Sequence, residues 1–422
     1  MRVLHVNKFL YRRGGAEAYL LDVATLQRAA GDEVALFGMQ HPENGPLPYA
    51  AHFPTQVDLE TAPESVNERL RVAARMFYSP SSRRGLAAVL ADFRPDVVHL
   101  HNVYHQLSPS VLRAVAEARI PAVMTLHDYK LACPSYLMLA DGRVCDACLD
   151  GHFRHAVTRR CKDGSLAASA LLAAESAFQR RSRAYDPVHT FVCPSRFLAG
   201  VMQRAGVYVD RLAVLGNFVD ASATTPKRAP GGGAVYVGRL SPEKGVDTLV
   251  AAAGRLPWLR VDIVGEGPHA LALRALGDEL APGRVRFHGR LPRNRVLDVI
   301  RANAVVVVPS RCNENQPMAV LEAFACGVPV VASQLGGLPE LVSDGCGALV
   351  APDDADDLAD RLEALLGDPH RAHAMGAAAR SLVLRRHSPQ AHLDALAGIY
   401  REAARAPRRR GVSRATTGAL VH

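Results

Sequence analysis

Short runs of β-branched and aliphatic residues recur along the chain, and each leads into a longer stretch whose apolar positions fall three and four apart. “RVLHVN” precedes such a stretch over Ala16 to Arg28, and “EVALFG”, “VVHLHN”, “AVMTLHD” and “TFVCPS” follow, the last leading into Phe197 to Gly206. This alternation predicts βαβ units and a parallel sheet. A second series opens at “AVYVGRL” and continues through “RVDIVGEG”, “VRFHGRL”, “AVVVVPS”, “PVVAS” and “GALVAP”. The expected fold class is therefore α/β, with two Rossmann-like doubly wound domains facing across a cleft.

Between the series, “NFVDASATTPKRAPGGG” loses periodicity and gains Pro, Gly and Thr, which places a hinge near residues 206 to 220. The expected organisation is a first domain over 1–212 with a Cys-rich insertion at about 130–165, a second domain over 213–385, a helix over 386–406 packing back on the first domain, and a disordered basic tail over 407–422. Residues 353 to 383 and 387 to 405 read as helical. Leu166 to Phe178 reads as a helix on a core, too short and too polar at Ser169, Glu175 and Ser176 to span a membrane.

At 422 residues the chain exceeds one core. Its formal charge of +9 is carried almost wholly by arginine, with five lysines, and reads either as genomic bias or as a preference for anionic substrates or membrane surface. The N-terminus lacks the apolar region of a signal peptide, so a cytoplasmic location is expected, where the eight cysteines would not pair as disulfides. Four of them, Cys133, Cys145, Cys148 and Cys161, cluster around one CxxC and read as a structural zinc site, free thiols or a redox pair.

In open parallel sheets ligands bind beyond the carboxyl ends of the strands, so the residues after each strand matter most. “SRCNENQPMAVLEAFACGVPVVAS” reads as strand 304–309, loop 310–316, helix 317–326 and strand 328–332, with proline opening the helix and Gly327 closing it. That helix start aims free N–H groups into the cleft and suits an anionic or hydroxyl-rich ligand. Glu322 reads as an acceptor for a vicinal diol such as a ribose, or as a solvated helix carboxylate; Glu314 lies nearer the cleft centre. The interval alone decides nothing, because Glu60 and Glu68 repeat it without context. In “GRLSPEKG”, Arg239 and Lys244 offer two cations for a diphosphate, or a surface ion pair with Glu243. Gly14 and Gly15 follow the first strand and expose backbone amides, and His127 with Asp128 ends another strand. “DDADD” at 353–357 reads as helix capping rather than a metal site.

Taken together, the GGAE loop, “HDY”, “FVCPSRF”, “VGRLSPEKG”, the EX7E pair at 314 and 322, “EAFACGVPVVAS” and “GGLPELV” resemble glycosyltransferase family 4, retaining enzymes of the GT-B fold, over nearly the whole chain. The resemblance implies that Arg239 and Lys244 hold a donor diphosphate and Glu322 the nucleotide ribose. It implies that Glu314 and the amides at Asn315, Gln316 and Pro317 position the donor sugar, with His127 near the reacting centre and Gly14 and Gly15 approaching the phosphate. Strand ends 264–267 and 288–291 would border the base. Where many relatives carry a glycine-aromatic-glycine run after the first glutamate, this chain has Asn315, Gln316 and Pro317, which leaves the donor open between GDP-mannose and a UDP-sugar. The implied reaction is retaining transfer to a glycan or lipid-linked acceptor in cell-surface polysaccharide assembly, without a catalytic metal and without nucleic acid, by an enzyme in peripheral contact with anionic membrane through its arginine-bearing stretches at 69–84 and 154–183. A nucleotide-sugar epimerase or phosphorylase of the same fold, or a noncatalytic nucleotide-sugar sensor, are the alternatives.

Overall fold

The computed structural model of the chain describes residues 1–58, 65–227, 231–343 and 345–406. The tail at 407–422 and Glu60 lie outside the described residues. Two six-stranded sheets form, and every pairing within them is parallel.

The first sheet runs Glu33–Phe37, Arg2–Val6, Val97–Leu100, Ala122–Thr125, Thr190–Cys193 and Leu212–Val214 from edge to edge. The second runs Val285–Gly289, Val261–Val264, Ala234–Val237, Val305–Val308, Val330–Ser333 and Gly347–Val350. Strands such as “VVVV” at 305–308 are buried at every position, as a sheet covered by helices on both faces requires. In each sheet the strand order reverses beside the opening strand. In the second this places the crevice between Ala234–Val237 and Val305–Val308, the strands that lead to Lys244 and Glu314.

Most expected elements appear with ends shifted by a residue or two. The helix after Glu314 spans Met318–Ala325, with Pro317 before it and Gly327 just past its end at φ +70°. The helical stretch expected over 353–383 is two helices, Ala355–Leu366 and Pro369–Arg386. Pro369 has no N–H to continue the first helix, and Asp368 restarts the second by accepting from the Arg371 N–H. Asp354 caps Ala355–Leu366 by accepting from the N–H groups of Asp356 and Asp357, while Asp353 pairs with Arg311.

Helix Leu166–Arg181 owes Glu175 and Ser176 to a buried ion cluster, while Ser169 accepts from the Lys162 N–H. Glu175 is fully buried and accepts from Lys130 Nζ at 2.8 Å, from Gln179 at 2.9 Å and, at 3.1 Å, contacts His105 Nδ1. Lys130 also donates to the Pro134 carbonyl and to Ser176. Burial opposes charge on Glu175, but Lys130 and His105 outweigh it and hold the carboxyl down at about 2. No helix among the described residues is long and apolar enough to cross a membrane.

The last helix, Pro389–Arg405, lays Leu396, Tyr400 and Ala403 against Val3, Tyr19, Val23, Val97 and Val123 of the first sheet and its helix. The chain thus crosses between the two sheets twice, after Val214 and again near His387. The crossings are stitched together: Val219 N–H donates to the His387 carbonyl at 2.9 Å, and His387 Nδ1 lies 2.8 Å from the Asn217 carbonyl.

Candidate active site

The loop Ser310–Pro317 is held from three sides. Gly336, at φ +61°, lies so close that a Cβ there would sit 2.2 Å from the Glu314 carbonyl, and Gly337 N–H donates to that carbonyl at 2.7 Å. Both glycines of “GGLPELV” serve close backbone packing, and at Gly336 the positive φ favours glycine as well. Gly245, at φ +63°, brings the Lys244 loop equally close to the Pro309 carbonyl.

Packing of the two loops places Lys244 Nζ 2.7 Å from Glu314 Oε1, with the Ser310 hydroxyl donating to the same oxygen at 2.6 Å. Burial alone would raise the Glu314 carboxyl, yet Lys244 and Ser310 hold it below the usual carboxylate range. Lys244 is correspondingly raised against the penalty of its own burial. Both groups stay charged at neutral pH. Arg239 is exposed after its strand, its carbonyl accepting from the Tyr236 hydroxyl, and it has no side-chain ion pair among the described residues.

From the first domain, the loop after Arg2–Val6 delivers Gly14 and Gly15 to the opposite wall. A Cβ at Gly15 would lie 3.9 Å from Met318 Cγ, so helices Gly15–Ala29 and Met318–Ala325 meet at their N-termini. Gly14 has extended backbone (φ −151°), so the glycine pair serves closeness rather than a left-handed turn. Facing helix N-termini add their dipoles and free N–H groups to Lys244 and Arg239.

The amide side chains after Glu314 are committed to the domain interface. Asn315 donates to the Leu126 carbonyl at 3.2 Å and accepts from the Ser195 hydroxyl at 2.6 Å. Gln316 accepts from the Asn217 N–H, and Asn217 Nδ2 donates to the Gln316 carbonyl at 3.0 Å. What these residues offer a ligand is backbone. The Asn315 contact sets the loop beside half-buried His127, the residue after Leu126. Two buried groups nearby, the Tyr129 hydroxyl and Asn313 Nδ2, have no hydrogen-bond partner among the described residues.

Glu322 is neither solvated nor free. Its carboxylate meets Arg293 Nε at 3.2 Å, and Arg293 Nη1 reaches Asp22 of the first domain at 3.2 Å, which in turn pairs with Arg12. Burial raises the Glu322 carboxyl, with Arg293 drawing it back and Asp22 adding to the rise. Glu340 adds a second bridge between domains, accepting from the N–H groups of Arg196 and Phe197 at 2.8 and 2.5 Å. At the far strand end His288 turns inward to Asp262 at 2.6 Å. Neither the Arg293 bridge nor the Glu340 bridge was readable in the sequence, because single charges in unrelated helices carry no spacing signal.

Behind His127 lies a buried line of histidines. His101 Nδ1 is 3.0 Å from His127 Nε2, His5 Nδ1 is 3.1 Å from His101 Nε2, and His5 Nε2 is 2.7 Å from Gln27 Oε1. The H-x-H of “VVHLHN” sets His99 and His101 on one sheet face, and the parallel register sets His5 beside His99; that alternation was the available signal. His5, His99 and His101 are the one set, among the described residues, whose donor atoms fall within metal-binding range of each other. Their nitrogens are already engaged in hydrogen bonds and their rings stack, which leaves no converging lone pairs for an ion.

Cys133, Cys145, Cys148 and Cys161 line one cavity of about 10 Å³, with His155 at its wall, the space of roughly one water-sized particle. All four are free. Burial, reinforced by the neighbouring sulfurs, pushes the Cys148 thiol up to about 12 and raises Cys161 as well.

Residues 13–223 match the profile described as Glycosyltransferase Family 4, and residues 226–382 that described as Glycosyl transferases group 1. A GDP-mannose-dependent monoacylated alpha-(1-6)-phosphatidylinositol monomannoside mannosyltransferase of Corynebacterium glutamicum is 38% identical over 155 residues, 34% of this chain and 40% of the relative. A D-inositol 3-phosphate glycosyltransferase of Mycobacterium avium is 40% identical over 192 residues, 42% of this chain and 44% of the relative. The matches thus span less than half the length of these curated relatives. Among solved structures, the sucrose-phosphate synthase of Thermosynechococcus elongatus superposes with a TM-score of 0.70 at 20% identity, covering 95% of this chain and 98% of that one. Anabaena HepE in complex with UDP-glucose gives 0.65 at 20% identity, covering 94% and 100%. With half of its length in the family 4 profile and both sheets in the GT-B arrangement, the chain belongs to glycosyltransferase family 4.

Proposed function

We propose that the chain transfers a sugar from a nucleoside diphosphate sugar to a glycan or lipid-linked acceptor, with retention at the anomeric carbon. The observation that carries this reading is the Lys244–Glu314 pair at the mouth of a crevice where two helix N-termini meet. As the glycosidic bond to the diphosphate breaks, negative charge gathers on the leaving oxygens and the sugar gains oxocarbenium character. Cations and helix ends already fixed at that point stabilise the change without reorganising. In this reading Arg239 and Lys244 face the diphosphate, Gly14 and Gly15 let backbone approach it, and Glu314 with the N–H groups of Asn315 and Gln316 meets sugar hydroxyls, Pro317 opening the helix behind them. His127 lies at the sugar, and Glu322 receives the ribose diol once Arg293 yields it. No carboxylate stands as an evident covalent nucleophile, which favours attack on the face the leaving group departs from.

Among the similar proteins one is GDP-mannose-dependent and another was solved with UDP-glucose, which supports a nucleotide sugar as donor and keeps both bases in view. Cell-surface polysaccharide assembly, a catalytic role without metal, and contact of the 69–84 and 154–183 stretches with anionic lipid at a cytoplasmic membrane face belong to the same proposal. So does a structural zinc on the four cysteines, which would draw their sulfurs to about 2.3 Å from one ion and lower their thiol pKa values. The deciding experiment is a panel of GDP- and UDP-sugars with recorded thermal shifts and nucleoside diphosphate release, with and without EDTA. One stabilising donor, slowly hydrolysed with EDTA present, is the expected result. No shift with any donor sinks the assignment, and purified protein free of zinc removes the metal.

A further inference from the structure

The histidine line fixes more than the place of His127. As the Gln27 amide is oriented, its Nε2 donates to the Tyr400 hydroxyl at 3.2 Å and its oxygen faces His5 Nε2 at 2.7 Å. An amide oxygen only accepts, so His5 carries its proton on Nε2 and accepts at Nδ1. The nitrogen facing that lone pair, His101 Nε2 at 3.1 Å, must then be the donor, which leaves His101 Nδ1 an acceptor. His127 Nε2, 3.0 Å away, must in turn donate. Its other nitrogen, Nδ1, is left with a lone pair and has no partner among the described residues.

These tautomers exist only in neutral rings, and the surroundings keep the rings neutral. Burial pushes His5 and His127 down to about 4, and burial with repulsion from neighbouring histidines lowers His99 and His101 well below the usual imidazole value. A side branch closes the other end of the Gln27 amide: the Tyr400 hydroxyl donates to His99 Nδ1 at 2.6 Å, and His99 Nε2 donates to the Thr125 hydroxyl at 2.7 Å. Turning the amide over would reverse every bond in both branches together. The tautomer of His127 is therefore set three residues away, on a helix of the same domain.

We propose that Gln27, acting through His5 and His101, is a positioning residue that holds His127 as its Nε2–H tautomer and so presents an Nδ1 lone pair to a sugar hydroxyl in the cleft. Only the identity of that hydroxyl rests on the sugar-transfer reading; the tautomer does not. A ring in the other tautomer would offer a donor to the same hydroxyl and change which of its oxygen's neighbours it could serve.

The test uses the full-length protein labelled with 15N-histidine and a two-bond 1H–15N correlation at neutral pH, with His127→Gln identifying the His127 signals by their loss. The expected spectrum shows Nε2 protonated and Nδ1 at the shift of an unprotonated nitrogen; a protonated Nδ1 overturns the proposal. In Gln27→Met the His127 signals should move toward a mixture of tautomers. Transfer kcat/KM should then fall about three- to ten-fold, the weight of one hydrogen bond, and mainly in kcat. Unmoved signals and unchanged kcat would overturn the role of Gln27. Should that variant fail to fold, Tyr400→Phe frees the amide to turn over and supplies the same readout, mixed signals supporting the proposal and unshifted ones refuting it. An Nε2–H His127 in a protein inactive with every nucleotide sugar would sink the transfer reading alone.

Discussion

Replacing Glu175 by glutamine strands the Lys130 ammonium in the core of the first domain. The pair lies at 2.8 Å with side-chain exposures of 1% and 0%, a separation whose gross attraction is about 6 kcal/mol at an effective dielectric of 20. Much of that offsets desolvation, and removing one partner of such a pair costs about 3–5 kcal/mol. The carboxyl gives a second route to the number. Held at about 2 against an ordinary 4.5, it contributes about 3 kcal/mol. Because its folded value is depressed, that stability is fully present above the unfolded carboxyl pKa and is lost as pH falls from about 4.5 toward 2. Urea unfolding can separate the domains: the single tryptophan, Trp258, lies in the second domain, so its fluorescence follows that domain while far-UV circular dichroism follows both. Glu175→Gln should bring the first-domain transition down and leave the Trp258 transition in place. Lys130→Met combined with Glu175→Leu should recover most of the loss, since an apolar pair removes both charges. A Glu175→Gln protein within about 1 kcal/mol of wild type, or a double variant no better than the single, would show that the pair is not desolvated as argued.

Arg239→Ala, at an exposed residue without an ion pair among the described residues, should change stability by less than about 0.5 kcal/mol while lowering turnover about 10²-fold; equal losses in melting and turnover would refute its donor role. Lys244→Ala is expected to lose both, because it leaves the Glu314 carboxylate buried without its cation, so melting curves and kinetics should fall together. Gly336→Ala should cost at least about 1 kcal/mol and impair transfer, since its Cβ would press on the Glu314 backbone; wild-type melting would contradict that packing. Asp22→Ala with Glu340→Ala removes two bridges between the domains, and small-angle scattering of the nucleotide-free protein should show a larger radius of gyration; an unchanged radius would mean that other contacts set the closure.

The strands were legible because each is a short apolar run bounded by a turn signal, and the strand-end loops were legible because the crevice of a parallel sheet lies there. Lys244 and Glu314 could be placed at one crevice from the strands that precede them, though not as partners of each other. The commitment of Asn315 and Gln316 to the interface and of Glu322 to Arg293 could not be read, since each depends on how two domains meet. The histidine line joins residues 5, 27, 99, 101, 127 and 400, and only the H-x-H alternation leaves a local trace. Glu175 looked like a polar interruption on an apolar helix because its partner, Lys130, comes from another segment 45 residues away.

A body attached to another at one flexible point can tumble, whereas one hung on two pins can only swing. The passages near Asn217 and His387, tied by the Val219–His387 and His387–Asn217 hydrogen bonds, are two such pins set side by side. Such a pairing favours rotation about the line through both over any other movement of the halves. Rotation about that line would return the same surfaces to the same register: Gly15 to Met318, Leu126 to Asn315, Arg196 to Glu340. Alignment of the two walls of the crevice would then be a property of the hinge line as much as of the residues it brings together.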